Sequence, residues 1–98
     1  MTWFCINVLA WIVLSISAYA DHGNTASGVQ AQPLTGACGP SFPFGTRFHL
    51  PDGRVITCTD RGRLVTDGHL DIWVADREAA IAWGRQVQRV GVVREACQ

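Results

Sequence analysis

The chemistry open to this chain of 98 residues rests on carboxylates. The sequence has no Gly-rich phosphate loop, no His-Glu-x-x-His and no Ser-His-Asp arrangement in a helpful context. His22, His49 and His69 are scattered and read as surface or hairpin residues, and no metal site or cofactor is expected. Two aspartates occupy unusual settings. Asp60 closes a β-rich run at Cys58-Thr59-Asp60-Arg61-Gly62, and Asp71 lies inside the apolar run His69-Leu70-Asp71-Ile72-Trp73-Val74. A carboxylate among Leu70, Ile72 and Trp73 is costly to bury in its ionised form. Strand alternation places Asp71 and Trp73 on one face and Leu70 and Ile72 on the other. Desolvation there raises the pKa, as a general acid working near neutral pH requires. The structural alternative is that Asp71 caps a turn or pairs with Arg61 or Arg63, and spacing alone leaves the two readings even.

The elements that must position these residues are short strands. Thr46–Leu50 and Val55–Thr59 alternate on either side of Pro51-Asp52-Gly53, a turn signal, and predict a hairpin. Leu70–Val74 predicts a further strand. Asp76 is a good N-cap for a helix in which Ala79, Ala80, Trp83 and Val87 recur at helical spacing. Gly84 weakens that helix and is expected to let it pack closely on the sheet. Val87–Val93 then returns as a final strand. Trp73 and Trp83 read as core, with sugar stacking as the alternative, and Thr25–Gly36 is a turn-rich loop.

Charge divides the chain unevenly. Eight arginines balance eight acidic residues, so no basic excess recommends nucleic acid. Residues 1–20 carry no charged side chain, and the run from Trp3 to Ile16 is apolar apart from Asn7. Its length suits a signal peptide better than a membrane span, and Ala18-Tyr19-Ala20 and Ser15-Ile16-Ser17 both have a small-x-small form. The expected organisation is a signal peptide or N-terminal anchor over 1–17, with a cut after 20 as the variant, and one domain over 18–98. Export to a periplasmic or extracellular location follows, with membrane contact only if the leader is uncleaved. In an oxidising compartment a Cys38–Cys58 bridge is expected, leaving Cys97 over, and three free buried thiols are the alternative.

Several separated segments together resemble a family. Thr25-Ala26-Ser27-Gly28, Gly45-Thr46, Asp60-Arg61-Gly62, Asp71, Asp76 and Trp83-Gly84-Arg85 stand in the order and spacing of the 3D domain, named for its three aspartates. That family includes the catalytic barrel of membrane-bound lytic transglycosylase A and is related to rare lipoprotein A-like domains. The resemblance covers about residues 17–94, and Ser17-Ala18-Tyr19 resembles the strand that precedes the Thr-Ala-Ser-Gly segment. The loop Gly62–Gly68 departs from the family pattern by one glycine lost and another shifted.

The resemblance implies a mainly β fold, a six-stranded double-psi β-barrel with one short helix near the C-terminus. It implies peptidoglycan glycan strands as the substrate, and the chain is expected to act as a monomer. By motif position Asp71 corresponds to the acid/base and Asp60 to its supporting aspartate, with Arg61, Gly62 and Thr46 facing substrate. Asp76 matches the third aspartate, although helix capping explains it without catalysis; with Cys38 and Cys58 it is assigned a structural role. The implied activity is lytic transglycosylation. The alternatives are a noncatalytic wall-binding or partner-binding barrel, and a hydrolase using Asp60 and Asp71 together.

Overall fold

The computed structural model describes residues 5–97, with side chains over 9–94. Its elements are β1 (Cys5–Tyr19), β2 (Thr35–Cys38), β3 (Arg47–His49), β4 (Val55–Asp60), β5 (His69–Trp73), α1 (Arg77–Trp83) and β6 (Gln86–Cys97). The strands close into a six-stranded barrel in the order β1-β5-β2-β4-β3-β6. The pairs β1/β5 and β2/β4 are parallel, and the other neighbours are antiparallel.

Alternation builds the core. Leu14 and Ile16 of β1, Phe48 of β3, Ile56 and Cys58 of β4, Leu70 and Ile72 of β5, and Val90 and Val92 of β6 all turn inward and are buried. The intervening residues face outward, as the period of two requires. The predicted hairpin forms between β3 and β4. In its turn Gly53 adopts φ 94°, and Asp52 Oδ1 accepts from the Arg54 amide at 2.9 Å. A disulfide joins Cys38 to Cys58, whose Cα atoms are 5.7 Å apart, and ties β2 to β4 inside the core.

Several features differ from the sequence reading. The helix is shorter, because Gly84 at φ 67° ends it. A Cβ at Gly84 would meet nothing within 4 Å, so this glycine reverses the chain and does not serve close packing. Trp83 packs against the core and donates from Nε1 to the Ile16 carbonyl at 3.0 Å, whereas Trp73 lies on the outer face of β5. The last strand runs on to Cys97, and its backbone register sets Cys97 opposite Cys5.

The difference at β1 matters most for the site. The apolar segment expected as a leader supplies β1, which pairs with β6 from Cys5 to Ile16 and with β5 from Ser15 to Tyr19. Two of its residues, Leu14 and Ile16, are 1 % and 0 % exposed. Without β1 the facing edges of β5 and β6 would present unpaired backbone groups and the core would open to water. A chain starting at residue 21 is therefore expected to show no cooperative thermal transition by circular dichroism. A melt as sharp as that of the full chain would mean that the barrel closes without β1.

Candidate functional site

Asp60 and Asp71 stand on strands either side of β2. The register sets Ala37 opposite Asp71 on one side and opposite Asp60 on the other. Residues paired across a sheet share a face, so both carboxylates flank the small side chain of Ala37, which is 3 % exposed. On the far side of β5, Ser17 of β1 stands opposite Asp71. A single row thus crosses four strands as Ser17, Asp71, Ala37 and Asp60. Gly36 lets the backbones of this row approach, since a Cβ there would lie 2.6 Å from the Asp71 carbonyl oxygen.

The two carboxylates are bonded very differently. Asp60 takes three donors: the Tyr19 hydroxyl on Oδ2 at 3.0 Å, and the amides of Ala26 and Arg61 on Oδ1 at 2.9 and 2.8 Å. It therefore clamps the Thr25–Gly28 turn against the end of β4, where the Ser27 amide also donates to the Thr59 carbonyl at 3.0 Å. Within the turn the Thr25 hydroxyl donates to the Val29 carbonyl at 2.6 Å, and Gly28 takes φ 89°. Among the described residues Asp71 has one side-chain hydrogen-bond partner, the Ser17 hydroxyl, donating to Oδ1 at 3.1 Å. Its Oδ2 accepts no hydrogen bond and forms no ion pair among the described residues.

Electrostatics follows from this bonding. Burial pushes the Asp71 carboxyl above its ordinary pKa and the negative charge of Asp60 adds to the rise, while the Ser17 hydrogen bond, His69 and Arg85 oppose it. Tyr19 lies among three carboxylates, and burial first, then its bond to Asp60 and the charges of Asp60, Asp71 and Asp21, raises its hydroxyl far above the usual phenol range. Tyr19 is thus a neutral hydrogen-bond donor at any working pH.

The other sequence-derived residues support the site from behind. Arg61 turns its guanidinium to the disulfide, with Nη1 at 3.0 and 3.2 Å from the sulfurs of Cys38 and Cys58 and Nη2 donating to the Phe42 carbonyl at 2.6 Å. It also lies 4.2 Å over the Phe44 ring, so it does not pair with Asp71. Thr46 is buried and donates from Oγ1 to the Pro43 carbonyl at 2.7 Å. Gly62 leaves room for Val65, whose Cγ2 a Cβ would meet at 2.6 Å. Asp76 is the N-cap of α1, accepting from the Ala79 amide at 2.8 Å. On β5, Trp73 donates from Nε1 to the Asp21 carbonyl at 2.6 Å. It also borders an apolar cleft of about 330 Å³ with Leu34, Arg54 and Val74. Sequence reasoning did not single out Ser17, Ala37 and Tyr19 as site residues. The alternation of Ser15-Ile16-Ser17-Ala18-Tyr19 was the available signal, masked by the leader-like composition around it.

No known protein family, curated protein or solved structure matches the chain.

Two stability outcomes follow. Asp60→Ala leaves two amides and a half-buried hydroxyl without an acceptor, at a cost of about 2–4 kcal/mol. Hydrogen exchange should show the Ala26 and Ser27 amides losing protection first. Retained protection there would remove the clamp role. For Asp71, folding raises the pKa, so its contribution is fullest below the unfolded value and is lost as pH rises through the folded value. Asp71→Asn does not titrate and keeps an acceptor for Ser17. It should be more stable than the parent at neutral pH, with that advantage gone below about pH 3.5. Thermal melts at both pH values measure this, and an advantage that grew on acidification would reverse the sign.

Proposed function

We propose that this protein is a peptidoglycan-active enzyme of lytic transglycosylase type, with Asp71 as acid/base and the barrel read as a double-psi β-barrel of the 3D-domain kind. The observation that carries this reading is the unequal bonding of the paired carboxylates: Asp60 is occupied by three donors, whereas Asp71 keeps Oδ2 for a ligand. Support for the barrel type comes from the two parallel pairs, β1/β5 and β2/β4, within a closed six-stranded barrel.

The chemistry needs one carboxyl group. The Asp71 proton passes to the glycosidic oxygen between N-acetylmuramic acid and N-acetylglucosamine as the bond from that oxygen to the muramic C1 breaks. The muramic C6 hydroxyl closes on C1, and its proton returns to the Asp71 carboxylate. The product is a 1,6-anhydro ring, and no water is consumed. An acid of raised pKa is protonated over more of the pH range in which it must give up its proton. Asp60 acts by holding the Thr25–Gly28 turn and Tyr19 beside the site. This reading places the protein in an exported, oxidising setting, to which the Cys38–Cys58 bridge is suited.

A noncatalytic wall-binding or partner-binding barrel is the second reading. It is favoured by the engagement of Arg61 and Thr46 in the fold, which withdraws two groups that the family resemblance assigns to substrate.

Mass spectrometry of purified peptidoglycan after incubation with the protein separates these readings. Anhydro-muramyl ends are expected. Reducing ends would point to hydrolysis, and unchanged glycan that co-sediments with the protein would leave the binding barrel. Asp71→Asn should lower anhydro product by about 10²–10⁴-fold or more. Asp76→Asn should retain both fold and activity, since Asn caps a helix about as well as Asp.

A further inference from the structure

The face of β5 that carries Asp71 continues by one row toward the start of the strand. There Ser15 of β1 stands opposite His69 of β5, and Arg85 reaches across both. Its Nη1 donates to Ser15 Oγ at 3.1 Å and to His69 Nε2 at 2.7 Å. A guanidinium only donates, so Nε2 is the acceptor and the ring proton sits on Nδ1, 3.5 Å from the Thr66 hydroxyl. Gly84, at φ 67°, makes this reach possible by turning the chain from α1 toward β6 immediately before Arg85.

Arg85 is exposed and has no carboxylate partner among the described residues. Both of its bonds use one nitrogen and neutral acceptors, and Nη2 and Nε make no hydrogen bond among the described residues. The fork of a guanidinium suits a carboxylate bound through two parallel N–H groups. Rows two residues apart on a strand are separated by about 6.6 Å, comparable to the length of one sugar ring. On the other side of Asp71 the same face ends at Trp73. The outer face of β5 therefore presents a cation, an acid and an aromatic ring in line.

We propose that Arg85, held by Ser15 and His69, is a carboxylate-binding residue that seats a muramic sugar whose lactyl carboxylate is free of a stem peptide, one position from the bond presented to Asp71. The inference rests on the glycan reading above, but it concerns binding of the ground state and not cleavage.

The test is a titration of the isotope-labelled full chain with N-acetylmuramic acid and with N-acetylglucosamine, followed by NMR. The two sugars differ by the lactyl ether and its carboxylate. The acidic sugar should bind more tightly by about tenfold or more, with shifts centred on His69 and Arg85. Arg85→Gln should abolish the preference. Arg89→Gln, which removes an exposed arginine from β6 beside Trp11, should keep it and so controls for net charge. Arg85→Lys, which keeps the charge and loses the fork, should weaken the preference, and it serves as the reading if the glutamine variant fails to fold. Equal affinities in the parent protein, binding of neither sugar, or a preference that survives Arg85→Gln would each overturn the proposal. A preference for the acidic sugar without any anhydro product would leave Arg85 as the anchor and remove the transglycosylase reading alone.

Discussion

The pairing of β1 with β5 is the constraint on which the rest depends. It closes the barrel and, by the same hydrogen bonds, brings Ser15, Ser17 and Tyr19 beside His69, Asp71 and Trp73. The inward residues Leu14 and Ile16 hold the pairing in register, because a slip of one residue would exchange them for the serines. Hydrophobic burial on one side of β1 thus sets the position of polar groups on the other. The interior and the site are two faces of the same few residues.

From that register comes a division of work between two carboxylates separated only by Ala37. Asp60 is surrounded by donors and is spent on structure; Asp71 has one donor and an environment that favours its proton. Similar side chains thus differ in role because the backbone around one offers amides and the backbone around the other does not. Tyr19, whose hydroxyl is held by Asp60 and whose own pKa is raised in part by Asp71, links the two. Arg61 anchors the opposite side, lying between the disulfide and Phe44 so that the start of the β4–β5 loop is held in place.

Much of this was legible in the residues, for physical reasons that can be named. Asp71 stood out because a carboxylate in an apolar strand has few explanations, and its outward orientation follows from the burial of Leu70 and Ile72. The β3–β4 hairpin and the cap at Asp76 are local, set by Gly53 and by the Ala79 amide. The Cys38–Cys58 bridge was likewise accessible from the cysteine pattern. What composition concealed is β1, where an apolar, uncharged stretch satisfies the same description whether it is destined for a bilayer or for the wall of a barrel. The orientation of Arg61 was also hidden, since neither spacing nor charge reveals that a guanidinium will choose sulfur and a carbonyl over a neighbouring carboxylate.

The seam between β1 and β6 has a consequence for how the molecule can be made. Among the described residues β1 is the first strand, and the strands it pairs with there are β5, which begins at His69, and β6, which begins at Gln86. Such distant pairings require long loops to close before their contacts return any stabilisation, which slows folding. On a ribosome or in a translocation channel, β1 must wait as an unpaired apolar segment until almost the whole sequence has emerged. The chain therefore passes through its synthesis in a state that a chaperone or an export machine can hold open, and the barrel closes only when β6 arrives.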